Sequence, residues 1–165
     1  MKKNILIIIV IMFINITCKN ITNNKQEPFK GENEINQKVQ LKTPLILSNQ
    51  LEPQREEFEK AVISALERIR IFAKQYNWEN LTTESFMDSI MIFDTKQGFD
   101  TTLLILVGAD KNMELPKSYS ACLENKILLS VSPEIYNKNY PEGNEDKYFE
   151  KLLTHEIAHR LHIRY

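Results

Sequence analysis

The residues of this chain best suited to chemistry form one pentapeptide near its carboxy terminus, His155-Glu156-Ile157-Ala158-His159. On a helix, residues at positions i and i+4 lie one above the other, so both imidazole rings can reach a single ion. Zinc binds neutral imidazole nitrogen at about 2.0–2.1 Å, and catalytic zinc sites have three protein ligands and a water molecule. His155 and His159 are therefore candidate zinc ligands.

Glu156 stands beside this pair at a different angle around the helix. Its side chain is turned by about 100° from that of His155 and by about 60° from that of His159. Zinc lowers the pKa of a bound water toward 7 and polarises a carbonyl group, and a carboxylate placed here can take the proton of that water. The spacing predicts Glu156 as a general base. A pair of exposed histidines without a metal is the alternative.

The helix that must carry these residues has an apolar side and a separate histidine side. Taking 100° per residue, five apolar positions fall within an arc of about 180°: Phe149, Leu152, Leu153, Ile157 and Leu161. The two histidines lie within about 40° of each other, roughly 130° from the middle of that arc. The pattern predicts a helix that follows an N-cap at Asn144 and packs its apolar side on a core.

The segment Thr154-His155-Glu156-Ile157-Ala158-His159-Arg160-Leu161 resembles the active-site helix of the zincin metallopeptidases. Arg160 departs from that helix, since this position is commonly uncharged. The strands predicted before the helix also look like the zincin amino-terminal subdomain, whose edge strand holds peptide substrates. The resemblance implies a zinc peptidase acting on a peptide or protein, with His155 and His159 as zinc ligands and Glu156 as general base.

The third zinc ligand is the part of the site that the motif does not supply. In the metzincin pattern H-E-x-x-H-x-x-G-x-x-H, the glycine position is His162 and the last histidine position is Tyr165. His162 lies about 10.5 Å along the helix axis from His155, so one straight helix would strain to bring both to one ion. His162 is therefore expected at the surface or behind the ligands. An upstream carboxylate is a further alternative, and the candidates are Asp94, Asp110 and Glu134.

In the gluzincin pattern, a glutamate on a later helix completes the site. This sequence ends six residues after His159 and shows no helix stop signal there. We therefore expect the front portion of a gluzincin-like peptidase, inactive if no other residue supplies the ligand. A non-catalytic truncated surface lipoprotein and a binding module are the alternative functions.

The amino terminus has the pattern of an export signal. Two lysines precede an apolar run over residues 5–14, which is too short for a bilayer core that takes roughly 20 residues. Cys18 follows this run and resembles the lipidated cysteine of bacterial lipoproteins, although Asn15 and Thr17 depart from the usual lipobox. We expect a signal peptide over residues 1–17 and a lipid anchor at Cys18 in the cell membrane or outer membrane. A secreted or periplasmic protein is the alternative.

Composition and charge limit the remaining possibilities for binding partners and for the division of the chain into tether and domain. With 21 basic against 22 acidic residues the formal net charge is −1, which gives no electrostatic reason to expect nucleic-acid binding. Residues 18–54 are mostly polar and contain three prolines, which predicts a flexible tether after the lipidated cysteine. An arm packed on the domain through Leu45–Leu47 is the alternative. The peptidase domain is then expected over residues 55–165.

Elements within this domain follow from hydrophobic periodicity. A helix of about 22 residues is predicted from near Gln54. Two strands at 89–93 and 101–107 form a predicted hairpin, and a second pair follows at 119–123 and 127–131. With the last helix, this order indicates an α+β fold with a small antiparallel or mixed sheet. Cys122 is expected to be a buried structural thiol, and packing is expected for Tyr136, Tyr140 and Tyr148, with the lining of a cleft as the alternative for the three tyrosines.

Overall fold

The structure is a computed structural model, and it describes residues 42–83, 86–139 and 148–164. Within these ranges the fold is α+β, as expected, with four strands and four α-helices. In chain order they are β1 (Leu45–Leu47), α1 (Arg55–Gln75), β2 (Ser89–Phe93), α2 (Lys96–Leu106), β3 (Ala121–Glu124), β4 (Ile127–Val131), α3 (Pro133–Asn139) and α4 (Tyr148–Arg164). Short 3-10 helices at Asn49–Gln54 and Glu79–Thr82 flank α1.

The four strands form one mixed sheet in the order β1-β2-β4-β3. β1, β2 and β4 are parallel, with Leu45 opposite Ile90 and Ile90 opposite Leu128. β3 runs antiparallel to β4 and occupies one edge of the sheet. The expectation of an antiparallel or mixed sheet is confirmed in its mixed form.

Side chains on the two faces of the sheet belong to two apolar clusters. Because side chains alternate along a strand, Leu128 of β4 joins the cluster made with α1 and α4, whereas Leu129 and Val131 join the one made with α2. The larger cluster therefore lies between the sheet and the helix pair α1 and α4. Packing against α1 and the sheet fixes the orientation of α4, the last helix.

Helix α1 confirms the amphipathic helix predicted from near Gln54. Its buried side chains recur at three- and four-residue spacing: Phe58, Val62, Ala65, Leu66, Ile69 and Ala73. Asn77 has a left-handed backbone (φ 60°) just beyond the helix. The N–H groups of Asn77 and Trp78 donate to the carbonyls of Lys74 and Ala73, at 3.2 and 2.8 Å. This is the pattern of a Schellman motif, and it ends α1.

The prediction of a strand at 101–107 is wrong, because this segment belongs to helix α2. The Thr95 side chain caps that helix by accepting a hydrogen bond from the backbone N–H of Gly98. Phe99 and Leu103, four residues apart, are both buried against β4. The predicted hairpin is thus a β2-α2 unit, whereas the strands predicted at 89–93, 119–123 and 127–131 are confirmed within two residues.

The predicted tether does not extend to residue 54. Leu45–Leu47 form a strand in which Leu45 and Leu47 are buried, since both side chains meet the α1 and α4 layer. The Ile90 N–H donates to the Pro44 carbonyl at 2.9 Å and so joins β1 to β2. The alternative, an arm packed through Leu45–Leu47, holds for this segment.

Several expectations lie outside the described residues. These are the signal peptide at 1–17, the lipidated Cys18, the tether up to residue 41, the N-cap at Asn144 and the packing of Tyr140 and the Tyr148 side chain. In the described part of the chain, no helix has both the length and the apolar character needed to cross a membrane.

Candidate metal centre

Helix α4 carries the candidate site, and its apolar side is held by the core. Phe149, Leu153, Ile157 and Leu161 are buried, and the ring of Phe149 meets that of Phe58 on α1 edge-on at 6.0 Å between centroids. This confirms the predicted apolar side of the helix. His155 and His159 are thereby turned away from the core and are exposed.

Polar contacts also fix α4 against α1. The Ser64 hydroxyl donates to the Glu150 carboxylate at 2.7 Å, and the Arg68 guanidinium pairs with the same carboxylate at 2.6 Å. Near the other end, the Arg160 Nε donates to the backbone carbonyl of Phe86 at 3.0 Å. The histidines thus lie on a helix that is fastened at both ends.

His155 and His159 face one another on the exposed side of α4. Their Nε2 atoms are 3.2 Å apart, and their rings are perpendicular with centroids 4.8 Å apart. Two nitrogen ligands of one tetrahedral zinc lie within roughly 3.5 Å of each other. The pair therefore has the separation that a shared ion requires, as the i, i+4 spacing predicts.

Glu156 completes a compact group with the two histidines. One carboxylate oxygen and the two imidazole nitrogens all lie within 4.8 Å of one another. Glu156 is partly buried, and this burial raises the pKa of its carboxyl group, while the neighbouring charges of His155 and His159 act in the opposite direction. A raised pKa brings a carboxylate closer to the range in which a general base works at neutral pH.

The edge strand β3 packs beside α4. Cys122 in this strand and Tyr119 just before it interact electrostatically with Glu156. Burial raises the pKa of the Cys122 thiol; a hydrogen bond with the Tyr119 hydroxyl lowers it, and the charge of Glu156 raises it. Burial likewise raises the pKa of Tyr119, and the charge of Glu156 adds to the effect. Cys122 packs against the α2-side cluster, as does Tyr136, in agreement with the packing roles predicted for them. The sequence offers no signal for Tyr119, because one tyrosine at the start of a predicted strand matches no motif.

The other candidate ligands are not brought to the histidine pair. Among the described residues, the group of possible ligands contains only His155, Glu156 and His159. Glu134 instead pairs with Lys138 at 2.8 Å, and Asp110 accepts a hydrogen bond from the backbone N–H of Asn112 at 2.9 Å. Asp94 and His162 do not join the group either. Apart from Glu156, no residue in the described part of the chain lies where it could serve as a third protein ligand beside the two histidines.

Comparisons of the chain with protein-family models, with curated proteins and with solved structures give no match. The case for a function therefore depends on the residues of α4 and on the geometry just described.

Proposed function

We propose that this chain is a zinc-dependent, metallopeptidase-like lipoprotein, exported and anchored through Cys18. The observation that carries the proposal is the 3.2 Å separation of the His155 and His159 Nε2 atoms on the exposed side of α4. Glu156 lies within the same group of potential ligands. The motif and its helix resemble the active-site helix of zincins, and the proposed reaction is hydrolysis of a peptide bond.

The donor set suits zinc. Two neutral imidazole nitrogens are among the ligands that zinc prefers, and they are accessible because both side chains are exposed. When bound, zinc would lower the pKa of a water molecule and polarise the carbonyl of the substrate. His155 and His159 would hold the ion, and Glu156 would stay free of it to handle protons.

The chemistry proposed for this chain's own residues is a proton relay by Glu156. Its carboxylate takes a proton from the water whose oxygen forms the new bond to the carbonyl carbon. It then gives that proton to the amide nitrogen as the carbon–nitrogen bond breaks, so the amine leaves neutral. The raised pKa of Glu156 supports this role, because both transfers are easier when acid and base forms are close in energy.

The proposed substrate is an extended segment of peptide or protein. β3 has β4 as its one strand neighbour in the described sheet, so the backbone groups along its other side have no strand partner. Such an edge can pair with an extended chain through main-chain hydrogen bonds. Because β3 packs beside α4, a peptide on that edge would run close to the histidine pair.

A second candidate function is a non-catalytic surface lipoprotein or binding module. It is favoured by one observation, the lack of a third ligand besides Glu156 among the described residues. Two histidines alone bind zinc weakly and leave more than one coordination position to water. In this case the histidine side of α4 would bind a partner or a metal without turnover.

The decisive measurement is the zinc content of the purified full chain at equilibrium with zinc-replete buffer. One equivalent in the wild type is expected, with loss in His155→Ala and retention in His162→Ala, the matched exposed histidine of the same helix. Absence of zinc in metal-replete buffer would overturn the metal site.

Peptidase activity separates the two candidate functions. Glu156→Gln is expected to retain zinc and lose cleavage of an unstructured protein substrate by at least about a hundredfold. Equal activity in this variant contradicts the general-base role. Zinc binding without cleavage in the wild type favours the non-catalytic function.

A separate measurement tests the lipid anchor. Cells expressing the full chain and given a labelled fatty acid are expected to label the wild type and not Cys18→Ala, whereas Cys122→Ala retains the label. Equal labelling of the Cys18→Ala chain contradicts lipidation at this residue.

A further inference from the structure

The histidine pair on α4 supplies only part of a zinc coordination shell. Zinc in proteins is almost always four-coordinate, with four protein ligands in structural sites and three in catalytic ones. His155 and His159 provide two ligands, and apart from Glu156 no further candidate lies beside them in the described part of the chain. Two ligands are one fewer than either class of site uses.

Glu156 is poorly placed to supply a missing ligand. It follows His155 directly, so its side chain leaves the helix at an angle of about 100° from that of His155. It is also partly buried, whereas both histidines are exposed. An ion held by the two Nε2 atoms would thus have Glu156 as a neighbouring negative charge, and its other coordination positions would face away from α4.

The surface around the pair can be approached by another molecule. Ala158, about 60° from His155 around the helix, is exposed and ends at its methyl group. The two Nε2 atoms are already 3.2 Å apart, so the pair needs little rearrangement to share an ion. The formal net charge of the chain is only −1, which gives weak repulsion between two copies.

We propose that a second copy of this chain completes the site, so that one zinc ion joins two chains through His155 and His159 of each. In a two-fold symmetric contact the same patch of both chains meets itself. Two imidazoles from each chain then give the four ligands of a closed tetrahedral site. The ion keeps its double positive charge among neutral imidazoles, and the Glu156 carboxylates of the two copies balance that charge. A second copy is favoured over another partner because it brings the missing ligands in the right number and kind.

This inference rests on the metal site of the proposed function and adds a form of regulation to it. In the joined pair, imidazole occupies every coordination position, so neither a water molecule nor a substrate carbonyl can bind the ion. The joined chains are therefore a resting form. Excess zinc supplies one ion to each chain, separates the pair and frees the positions that hydrolysis needs.

Sedimentation velocity of the purified full chain in detergent tests the joining. Chains kept reduced are measured with EDTA, with half an equivalent of zinc per chain, and in zinc-replete buffer. The EDTA sample is the reference, because any association through the apolar residues 5–14 does not depend on zinc and is present in all three samples. We expect the protein mass to double at half an equivalent, with one zinc for two chains, and to return to the reference value in replete buffer.

Single substitutions locate the contact between the two copies. His155→Ala and His159→Ala should each abolish the doubling of mass, whereas His162→Ala, at an exposed histidine of the same helix, should retain it. Ala158→Gln keeps both ligands but adds a longer side chain between the copies, so it should lose the doubling while it still binds zinc. Thr101→Gln makes a comparable change at an exposed position of α2 and should retain the doubling.

The outcomes separate this proposal from the metal site on which it rests. A wild-type chain that binds zinc and keeps its reference mass at half an equivalent overturns the joining and leaves the metal site in place. A chain that binds no zinc overturns both. A doubling that survives in His155→Ala, or that is as complete in Ala158→Gln as in the wild type, also overturns the joining. Joined chains that persist in replete buffer support the joining but contradict the peptidase function, because no open coordination position then remains.

Discussion

The Arg160 guanidinium on α4 donates a hydrogen bond, at 3.0 Å, to the backbone carbonyl of Phe86, a residue 74 positions earlier in the sequence. Arg160 follows His159 directly and is the position at which the motif departs from the uncharged residue common in zincins. The contact gives this departure a structural reason. It fastens the histidine-bearing turn of α4 to the segment that leads into β2.

Replacing Arg160 should destabilise the fold. In Arg160→Met the carbonyl of the buried Phe86 loses its side-chain donor, which costs about 1–3 kcal/mol for a partly buried acceptor. Urea unfolding followed by circular dichroism measures the change. Arg70→Met is the matched control, because Arg70 forms a distant, exposed ion pair with Glu67. Its replacement should cost less than about 1 kcal/mol. Equal midpoints for the two variants would contradict the role given to Arg160.

The burial of Glu156 predicts a stability that depends on pH. Its pKa is raised above 4.5 in the folded protein, so the folded state binds this proton more tightly than the unfolded state. Below pH 4.5 the group is protonated in both states and costs nothing. As the pH rises from 4.5 through the raised pKa, the folded state loses stability by ionising a partly buried carboxyl.

Glu156→Gln removes this loss. The metal-free variant is therefore expected to be more stable than the metal-free wild type at pH 7 and nearly equal to it at pH 4, as measured by chemical unfolding at both values. Glu150→Gln is the contrasting variant and should be less stable than the wild type at pH 7, because it weakens the contacts of this side chain with Ser64 and Arg68. A Glu156→Gln variant less stable than the wild type at pH 7 would show that the carboxylate stabilises the fold.

Cys122 is expected to react slowly with thiol reagents. Burial raises its pKa above the value of 9.0 for a free thiol, and the thiolate is the reactive form. In the Cys18→Ala chain, the rate of alkylation by iodoacetamide should keep rising beyond pH 9. Tyr119→Phe removes a hydrogen bond that lowers this pKa, so it should slow the reaction further at pH 8. Faster alkylation in Tyr119→Phe would mean that the hydroxyl protects the thiol by covering it.

The capping of α2 can be tested by substitution. Thr95→Ala removes the side-chain acceptor for the Gly98 N–H and should cost about 1 kcal/mol of stability. Thr101→Ala, at an exposed position inside the same helix, should have no cost, since alanine is the better helix former. Both are measured by thermal unfolding. If Thr101→Ala were the more damaging change, the segment would behave as a strand.

The sequence predicted α1, α4 and the strands β2, β3 and β4, because each has a clear period or a run ended by turn residues. It did not predict α2, since Thr101 to Val107 combines two β-branched threonines with an unbroken apolar run, the composition of a buried strand. What decides for a helix is the burial of Phe99 and Leu103 against β4. That four-residue spacing and the cap at Thr95 were the signals available in the sequence.

For a related reason, the sequence indicated the packed segment that forms β1 only as an alternative to a flexible tether. Three residues are too few to show a period, and the polar surroundings of Leu45–Leu47 resemble a linker. Their burial depends on Ile90 and on α1, which lie far along the chain. The histidine pair, by contrast, was predictable in full, because its geometry is set by one helix. The sequence could not select a third ligand, and the structure brings none of the upstream candidates to the pair within the described residues.

The order of the strands has a consequence for synthesis. β1 is made first, yet its partner β2 begins at Ser89, and the core that covers both strands is completed by side chains of α4 such as Leu153 and Ile157. Each of these pairings joins segments distant in sequence, so the core cannot close before α4 has been synthesised. The amino-terminal half must therefore wait, unfolded, until the last helix has been made. For an exported chain, as proposed above, an interval of this kind leaves time to pass through a membrane pore before folding.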